Sequence, residues 1–167
     1  MKIRACRAAA VLFGGAVLVG CQSQPAPTLE VTQVAITEQT AQGMVVTFRV
    51  RADNRGDEAL PLRTVRYSIS LDGRPAFSGE RNAESTVRRH GSQEFLLPVA
   101  LTLGEGKDLP AVPSGQVSYS LSGSVEYEVP GSIAEVLFDT GIRRPSASFS
   151  ESGRLDFSEI GPMGPDR

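Results

Sequence analysis

Hydrophobic and polar residues alternate along much of the chain, with every second residue apolar. In the longest such stretch, 117–129, the intervening positions are Ser118, Ser120, Ser122, Ser124, Glu126 and Glu128. Successive side chains of a β-strand point to opposite faces, so the pattern predicts a strand with one buried and one wet face. The pattern recurs at 44–52, 64–71 and 97–103. A helix does not fit it, because period two scatters apolar groups around a helix axis.

Turn residues lie between these stretches. Asn54–Gly56 and Asp72–Gly73 predict hairpin turns, because Asn, Asp and Gly tolerate positive φ. The second turn leads into a shorter strand around Pro75 to Ser78. Leu29 to Thr37 predicts a first strand, and Phe149 to Phe157 contains the last.

About seven strands without a long helix predict an all-β fold, an antiparallel β-sandwich like that of fibronectin type III and immunoglobulin domains. Residues 104–115, rich in Gly and Pro, predict a long surface loop. One segment departs from the alternation, because Ser132 to Glu135 matches a capping box. Gly141 would then close a short helix, near 132–139, that runs through Phe138. The apolar residues of this segment also suit a strand, so both alternatives stay open.

The beginning of the chain has the order of a secretory signal. Three basic residues precede an apolar run from Ala8 to Val19, about a dozen residues where a membrane-spanning helix needs about 20. The run ends in L-V-G-C at Leu18 to Cys21, which resembles the bacterial lipobox. The resemblance implies cleavage before Cys21 and attachment of fatty-acyl chains to it. An ordinary signal peptide with an accidental cysteine and an uncleaved anchor are the alternatives.

Cysteine usage agrees with acylation. The chain has two cysteines, and Cys6 lies in the predicted leader, so the mature chain keeps only Cys21. An odd cysteine in a secreted protein needs an explanation, which acylation supplies. More than one acyl chain makes membrane anchoring stable. In Gram-negative lipoproteins Asp after this cysteine usually means inner-membrane retention, so Gln22 implies the outer membrane, facing the periplasm.

Length and charge define the mature protein. Removal of the leader, residues 1–20, leaves 147 residues, enough for one domain with a core. The chain has 17 Lys and Arg residues and 19 Asp and Glu residues. Three of the basic residues lie in the leader, so the mature chain has 14 basic and 19 acidic residues and a net charge of −5. Such a chain is a poor candidate for nucleic acid. We expect lipidated Cys21 and a flexible tether at 21–28, the domain at 29–158 and a disordered tail at 159–167.

The alternating block contains an ordered series of short motifs. A strand ending in Asn54 is followed by L-P-L at 60–62, Tyr67, the D-G turn, F-S-G at 77–79 and a strand containing Pro98. Together with the strand from Val117 and G-R-L-D-F at 153–157, this series resembles the water stress and hypersensitive response (WHy) domain of the late embryogenesis abundant type 2 family. Asn54-Arg55-Gly56 stands where the family usually has N-P-N, and the Gly- and Pro-rich 104–115 stands where plant members have a helix.

The resemblance implies a folded sandwich associated with tolerance of drying and other stresses, without an agreed biochemical activity. The residues point the same way. The single histidine, His90, predicts a solvated loop residue, because a catalytic triad or metal site would need partners. Oxygen ligands gather at 53–58, but Arg55 interrupts the EF-hand spacing, so a hairpin turn is the better interpretation.

The serines at 118–124 predict the wet face of a strand, or alternatively an exposed hydrogen-bonding surface. No cofactor, metal site or enzymatic activity is expected. The sequence therefore supports two classes of function. The first is a membrane-anchored, stress-protective envelope lipoprotein, and the second is a binding module for a lipid or for a protein partner in an envelope assembly.

Overall fold

The computed structural model describes residues 24–40, 43–102 and 115–156, so the predicted leader, Cys21, most of the predicted loop and the predicted tail lie outside the described residues. The described chain forms seven strands and one helix, in the order β1 (Thr28–Thr40), β2 (Gly43–Asn54), β3 (Leu60–Leu71), β4 (Arg74–Val87), β5 (Gly91–Thr102), β6 (Gln116–Tyr127), α1 (Ser132–Asp139) and β7 (Ser146–Asp156). The predicted all-β fold is confirmed, and of the two alternatives for the segment near 132–139 the short helix is the one that forms.

The strands form two antiparallel sheets that pack as a sandwich. The three-stranded sheet has the order β1-β2-β5, and the four-stranded sheet has the order β4-β3-β6-β7. At the two edges β4 lies beside β5, and β1 beside β7. Each sheet therefore has one face against the other sheet and one toward solvent, which is why its strands alternate.

The core lies between the sheets and consists of the apolar residues of the alternating stretches. In β2 every even position from Met44 to Ala52 is buried. Phe48, Leu97 and Leu121 are fully buried, and the ring of Phe48 meets that of Tyr119 edge-on at 5.6 Å, across the two sheets. Full burial of such a side chain contributes about 1.5–3 kcal/mol, so these rows hold the sheets together.

A polar bond also crosses the core. The hydroxyl of Tyr67, on β3, donates a hydrogen bond of 2.7 Å to the carbonyl of Pro98, on β5. Pro98 has no amide proton, and it lies on an edge strand, where a proline costs no ladder bond inside the sheet. The Tyr67 ring packs on Phe77 with the centroids 5.5 Å apart. A directed bond therefore contributes to holding the two sheets together, in addition to apolar packing.

The Asp72–Gly73 hairpin is confirmed. Both residues have positive φ, 45° and 75°, as a two-residue turn between twisted strands requires. The Asp72 carboxylate accepts bonds from the amide (3.0 Å) and the hydroxyl (2.7 Å) of Ser118. This turn is thereby joined to β6. The strand that follows, β4, has 14 residues, so the predicted short strand around Pro75 to Ser78 was too short.

The hairpin predicted at Asn54–Gly56 is wrong. β2 ends at Asn54 and pairs with β1 and β5, whereas β3 begins at Leu60 and belongs to the other sheet. Residues 55–59 therefore cross between the sheets. None of the three residues has positive φ, so the turn chemistry that suggested a hairpin is not used.

Asn54 instead serves as a buried connector, with 2% of its surface exposed. Its side-chain oxygen accepts from the amide of Gly56 at 2.9 Å. Its amide group donates to the carbonyls of Glu58 at 2.7 Å and Arg88 at 3.2 Å. A buried polar group is tolerated when such partners satisfy it. The side chain therefore ties the end of β2 to the crossover and to the loop between β4 and β5.

The helix forms, but not with the predicted capping box. The residue before it is Gly131, with φ 122°, and no side chain caps the first turn. The amide of Glu135 bonds instead to the carbonyl of Gly131 at 2.9 Å. The C-terminus behaves as predicted, because Gly141 has φ 74° and its amide reaches the Phe138 carbonyl at 3.0 Å. The last strand also begins three residues earlier than predicted, at Ser146.

We expect Asn54→Ala to lower the free energy of unfolding by about 2–3 kcal/mol, because buried groups lose their hydrogen-bond partner. Urea unfolding measures this. The matched control is Asn82→Ala, at an exposed position of β4, which should stay within about 0.5 kcal/mol of the unsubstituted protein. Equal stability of the two variants would contradict the connecting role of Asn54.

Stability should fall at alkaline pH. Burial raises the pKa of Tyr67, Tyr119 and Tyr127 above the ordinary value of 10.0. Below pH 10 both states keep these protons. Above it the unfolded chain releases them first, so the free energy of unfolding decreases as pH rises. Urea unfolding at stepped pH measures the decrease.

Tyr67→Phe should reduce that alkaline decrease and, at pH 7, cost about 1 kcal/mol for the lost bond to Pro98. Tyr119→Phe, whose hydroxyl makes no hydrogen bond within the described part of the chain, should cost less at pH 7. A flat stability profile above pH 10 would contradict the burial of these phenols.

Candidate functional site

The sequence-predicted site residue, Cys21, lies outside the described residues. The described chain begins three positions later, at Gln24. The contacts of Gln24 therefore show which part of the domain lies nearest to this cysteine along the chain. No helix in the described segments is both long enough and apolar enough to cross a membrane.

Gln24 is held against the domain. Its side-chain amide donates to the carbonyl of Glu58 at 3.0 Å and to the side-chain oxygen of Asn54 at 3.3 Å. The same amide covers Gly56, where an added Cβ would come within 2.1 Å of the Gln24 nitrogen. Pro27 is buried and β1 begins at Thr28. The described part of the predicted tether therefore contacts the domain.

His90 lies where the sequence predicted, in the exposed loop between β4 and β5. Its ring nitrogen Nε2 is 2.9 Å from a carboxylate oxygen of Asp57, and both side chains are more than half exposed. Its backbone has φ 48°, and its amide bonds to the Gly56 carbonyl at 3.2 Å. The contact joins two loops at the surface, and an exposed pair of this kind contributes about 0–1 kcal/mol.

The side-chain oxygen atoms at 53–58 do not point toward one common position that a cation could occupy. Asp53 faces Arg51 at 3.4 Å, and Asp57 faces His90. Asn54 points into the interior. No group of three or more His, Cys, Asp or Glu side chains in the described segments is placed to hold a metal ion. The calcium alternative therefore has no geometric support there.

The outer face of the four-stranded sheet carries a continuous array of hydroxyl groups, the serine face. One row crosses all four strands through Ser78, Ser68, Ser122 and Ser150, which are register partners. The face as a whole comprises Ser68, Ser70, Ser78, Ser118, Ser120, Ser122, Ser124, Ser146, Ser148, Ser150 and Ser152.

The spacing of these hydroxyls follows from sheet geometry. Neighbouring strands lie about 4.8 Å apart, and residues two apart on a strand lie about 6.7 Å apart. Ser68 and Ser122 are close enough to share a bond of 3.2 Å between their Oγ atoms. Each hydroxyl is both a donor and an acceptor, so the face presents a regular two-dimensional hydrogen-bonding pattern.

Charged residues border this face on one side. Arg66 bonds to Glu126 at 2.6 Å and to Glu80 at 2.7 Å, and these carboxylates raise the pKa of Arg66 above its ordinary value. Glu126 is buried, which its pairing with Arg66 makes tolerable. One arginine against two glutamates leaves a net charge of −1 at this border, and the hydroxyls are the most numerous polar groups of the face.

Sequence reasoning identified only the β6 part of the serine face. The β7 serines follow the same alternation, S-A-S-F-S-E-S from 146 to 152, which was a usable signal for a strand beginning at Ser146. Their position beside β6 was not predictable, because strand order and register depend on tertiary packing.

Known structures share this architecture. A protein from Arabidopsis thaliana, solved in solution, is similar with a TM-score of 0.59 at 14% identity, over 81% of this chain and 84% of that one. A putative late embryogenesis abundant protein gives 0.58 at 16% identity, over 80% and 72%. A crystal structure from Archaeoglobus fulgidus gives 0.53 at 12% identity, over 77% and 97%. At these identities the likeness shows the fold alone.

A comparison with curated proteins gave no match. The family comparison covers residues 49–147, from the middle of β2 to the start of β7. This range includes Asn54, the crossover, the Asp72–Gly73 hairpin and most of the serine face. The chain therefore belongs to the late embryogenesis abundant protein family described as LEA_2.

Proposed function

We propose that the protein is a non-enzymatic lipoprotein of the cell envelope, anchored through acyl chains on Cys21, whose sandwich protects envelope components against loss of water. The family relation supports a stress-related role. The main structural support for the proposal is the serine face. Its hydroxyl groups can donate and accept hydrogen bonds, as water does.

The physical argument concerns what drying removes. Polar headgroups, glycans and protein surfaces lose the water that satisfied their donors and acceptors, and an unsatisfied polar group costs about 1–3 kcal/mol. A serine hydroxyl can replace either partner of such a bond. Eleven serines on one sheet supply many replacements at once, and they do so on a rigid support whose side chains lose little conformational freedom.

The proposed anchor rests on the leader. The L-V-G-C sequence resembles a lipobox, and acylation would account for the unpaired Cys21. We place the protein at the outer membrane, facing the periplasm, because Gln22 rather than Asp follows the cysteine.

The alternative, a binding module for a lipid or a protein partner, receives partial support. Between the sheets the space is occupied by fully buried side chains such as Phe48, Leu97 and Leu121, so the packing of the described residues does not support a lipid held there. An apolar groove does lie beside α1, and its occupant is a separate question.

Acylation is tested by Cys21→Ser. We expect the unsubstituted protein to remain with membranes and its intact mass to match a chain that begins at Cys21 and carries acyl groups. Cys21→Ser should lose those groups, and its intact mass should show no acylated form. The matched control is Cys6→Ser, which alters the other cysteine and should change neither property. A chain that retains unmodified residues 1–20 would overturn the proposed anchor.

The protective role of the serine face is tested by the combined substitution of Ser68, Ser122 and Ser150 by Ala. Survival of the producing cells after drying should fall toward that of cells lacking the protein, because three of the four hydroxyls of the row that crosses the sheet are lost. The matched control replaces Thr32, Thr47 and Ser92, hydroxyls of the three-stranded sheet, by Ala, and it should preserve survival at equal protein amounts.

Equal survival with both triple variants would exclude the serine face as the active surface. Equal survival with and without the protein would count against the protective function itself.

A further inference from the structure

Large apolar side chains are exposed at few places in the described part of the chain, and three of those four places fall within ten residues. They are Ile133, Val136 and Ile142, with 76%, 60% and 74% of their surfaces exposed. The fourth, Leu96, is isolated on β5. Scattered exposed apolar residues are normal in soluble domains, but a cluster indicates an interaction site. We call these three residues the α1 patch.

The α1 patch is exposed because the helix has a fixed orientation on the domain. Phe138 is the buried residue of α1. The guanidinium of Arg144 lies over its ring, 5.6 Å from the centroid, and bonds to the Phe138 carbonyl at 3.3 Å. Ile133 and Val136 lie three residues apart, which places them on neighbouring positions of a helix surface. Gly141 then turns the chain with positive φ, and Ile142 follows it.

The chain enters the domain at this same end. Gln24 and Ile133 line one groove of about 630 Å³, together with Leu137 and Val129. Gln24 follows Cys21 by three positions, and a fully extended chain of that length spans at most about 11 Å. Whatever holds Cys21 therefore lies within about 11 Å of this groove.

We propose that the α1 patch docks on the lipid bilayer that holds the acyl chains of Cys21, so that the domain stands on the membrane in one orientation. This inference rests on the acylation of Cys21 proposed above. The short connection leaves the α1 end of the sandwich next to the bilayer surface, and that end carries the exposed isoleucines and valine. A helix lying at an interface buries its apolar side chains about 5–10 Å deep, at the boundary of headgroups and acyl chains.

The charges near the α1 patch indicate which force holds it. Glu135 and Asp139 on the helix are exposed, as are Arg143 and Arg144 just after it, so the local charge is balanced. Burial of apolar surface, and not attraction to anionic lipid, is therefore the force that favours docking. Docking should accordingly be insensitive to salt and to the fraction of anionic lipid, unlike that of a basic amphipathic helix.

The mature chain offers a clean way to test docking, because an introduced cysteine becomes the only free thiol once Cys21 is a thioether. Acylated Val136→Cys carries a fluorophore in the α1 patch, and acylated Gln116→Cys carries it at an exposed position at the opposite end of β6. The two sites lie about 35 Å apart along the strand direction. Both proteins are reconstituted in vesicles of phosphatidylethanolamine and phosphatidylglycerol that contain a lipid-attached quencher.

Intact mass first confirms acylation of each labelled protein. We expect the lipid quencher to reduce the fluorescence at position 136 by about two-fold or more, since an interfacial side chain lies within its range. Fluorescence at position 116 should stay unchanged, and 0.5 M salt should alter neither result. Equal quenching at both positions, or none at either, on acylated protein would overturn docking while leaving the proposed anchor intact.

The same measurement distinguishes the bilayer from two other possible occupants of the α1 patch, a protein partner and an acyl chain of Cys21. A label at 136 that is shielded from water but not reached by the lipid quencher would indicate a protein partner or an acyl chain of Cys21 folded into the groove, and would overturn bilayer docking. A chain that mass analysis finds unacylated would remove the anchor, and the docking inference with it.

A second variant separates docking from label artefacts. Acylated Ile142→Cys with Ile133→Ser and Val136→Ser should lose most of the quenching that Ile142→Cys alone shows, with unchanged urea unfolding because all three side chains are exposed. The matched control adds Leu96→Ser, the isolated exposed leucine, and should keep the quenching. Retained quenching in the first of these variants would overturn the role of the α1 patch.

Discussion

Three backbone segments meet at the carboxamide of Asn54, a polar side chain with 2% of its surface exposed. β2 ends there, the chain crosses to the other sheet through Gly56 and Glu58, and the loop after β4 passes at Arg88. An apolar side chain would leave these backbone groups buried without partners, and a charged one would add a desolvation cost. Among the described strands, the first of the three passages between the sheets, from β2 to β3, is therefore held by the carboxamide of Asn54, which also contacts the loop of the second passage, from β4 to β5.

The same amide also bears on the proposed anchor at Cys21. Gln24 bonds to Asn54 and to the Glu58 carbonyl, so the first described residue is held at the end of the sandwich that also carries α1. A long free tether would let the domain rotate away from the bilayer. Under the proposed acylation, a tether of a few residues that ends beside a buried side chain would restrict that rotation, so that a small exposed apolar patch would be enough to select one orientation.

The sequence was informative where structure follows from local rules. Alternation identified the strands, since one face of each is buried, and Asp72–Gly73 and Gly141 adopt the positive φ that their chemistry suits. It failed where tertiary contacts decide. Asn54-Arg55-Gly56 has the composition of a hairpin but crosses between sheets, because the buried amide is satisfied by a distant loop at Arg88. Sheet order, which assembles the serine face from four strands, has no local signature either.

The two surfaces constrain each other. The strands run from the α1 end of the sandwich to the opposite end, so docking of the α1 patch would set them roughly along the membrane normal. The serine face, on the outer side of one sheet, would then look sideways into the periplasm and not down at the bilayer. Its hydroxyls would reach polar groups beside the protein, such as glycans or neighbouring proteins, and could not lie flat on the headgroups of the host membrane. The envelope components protected under this arrangement are therefore those that stand next to the membrane surface.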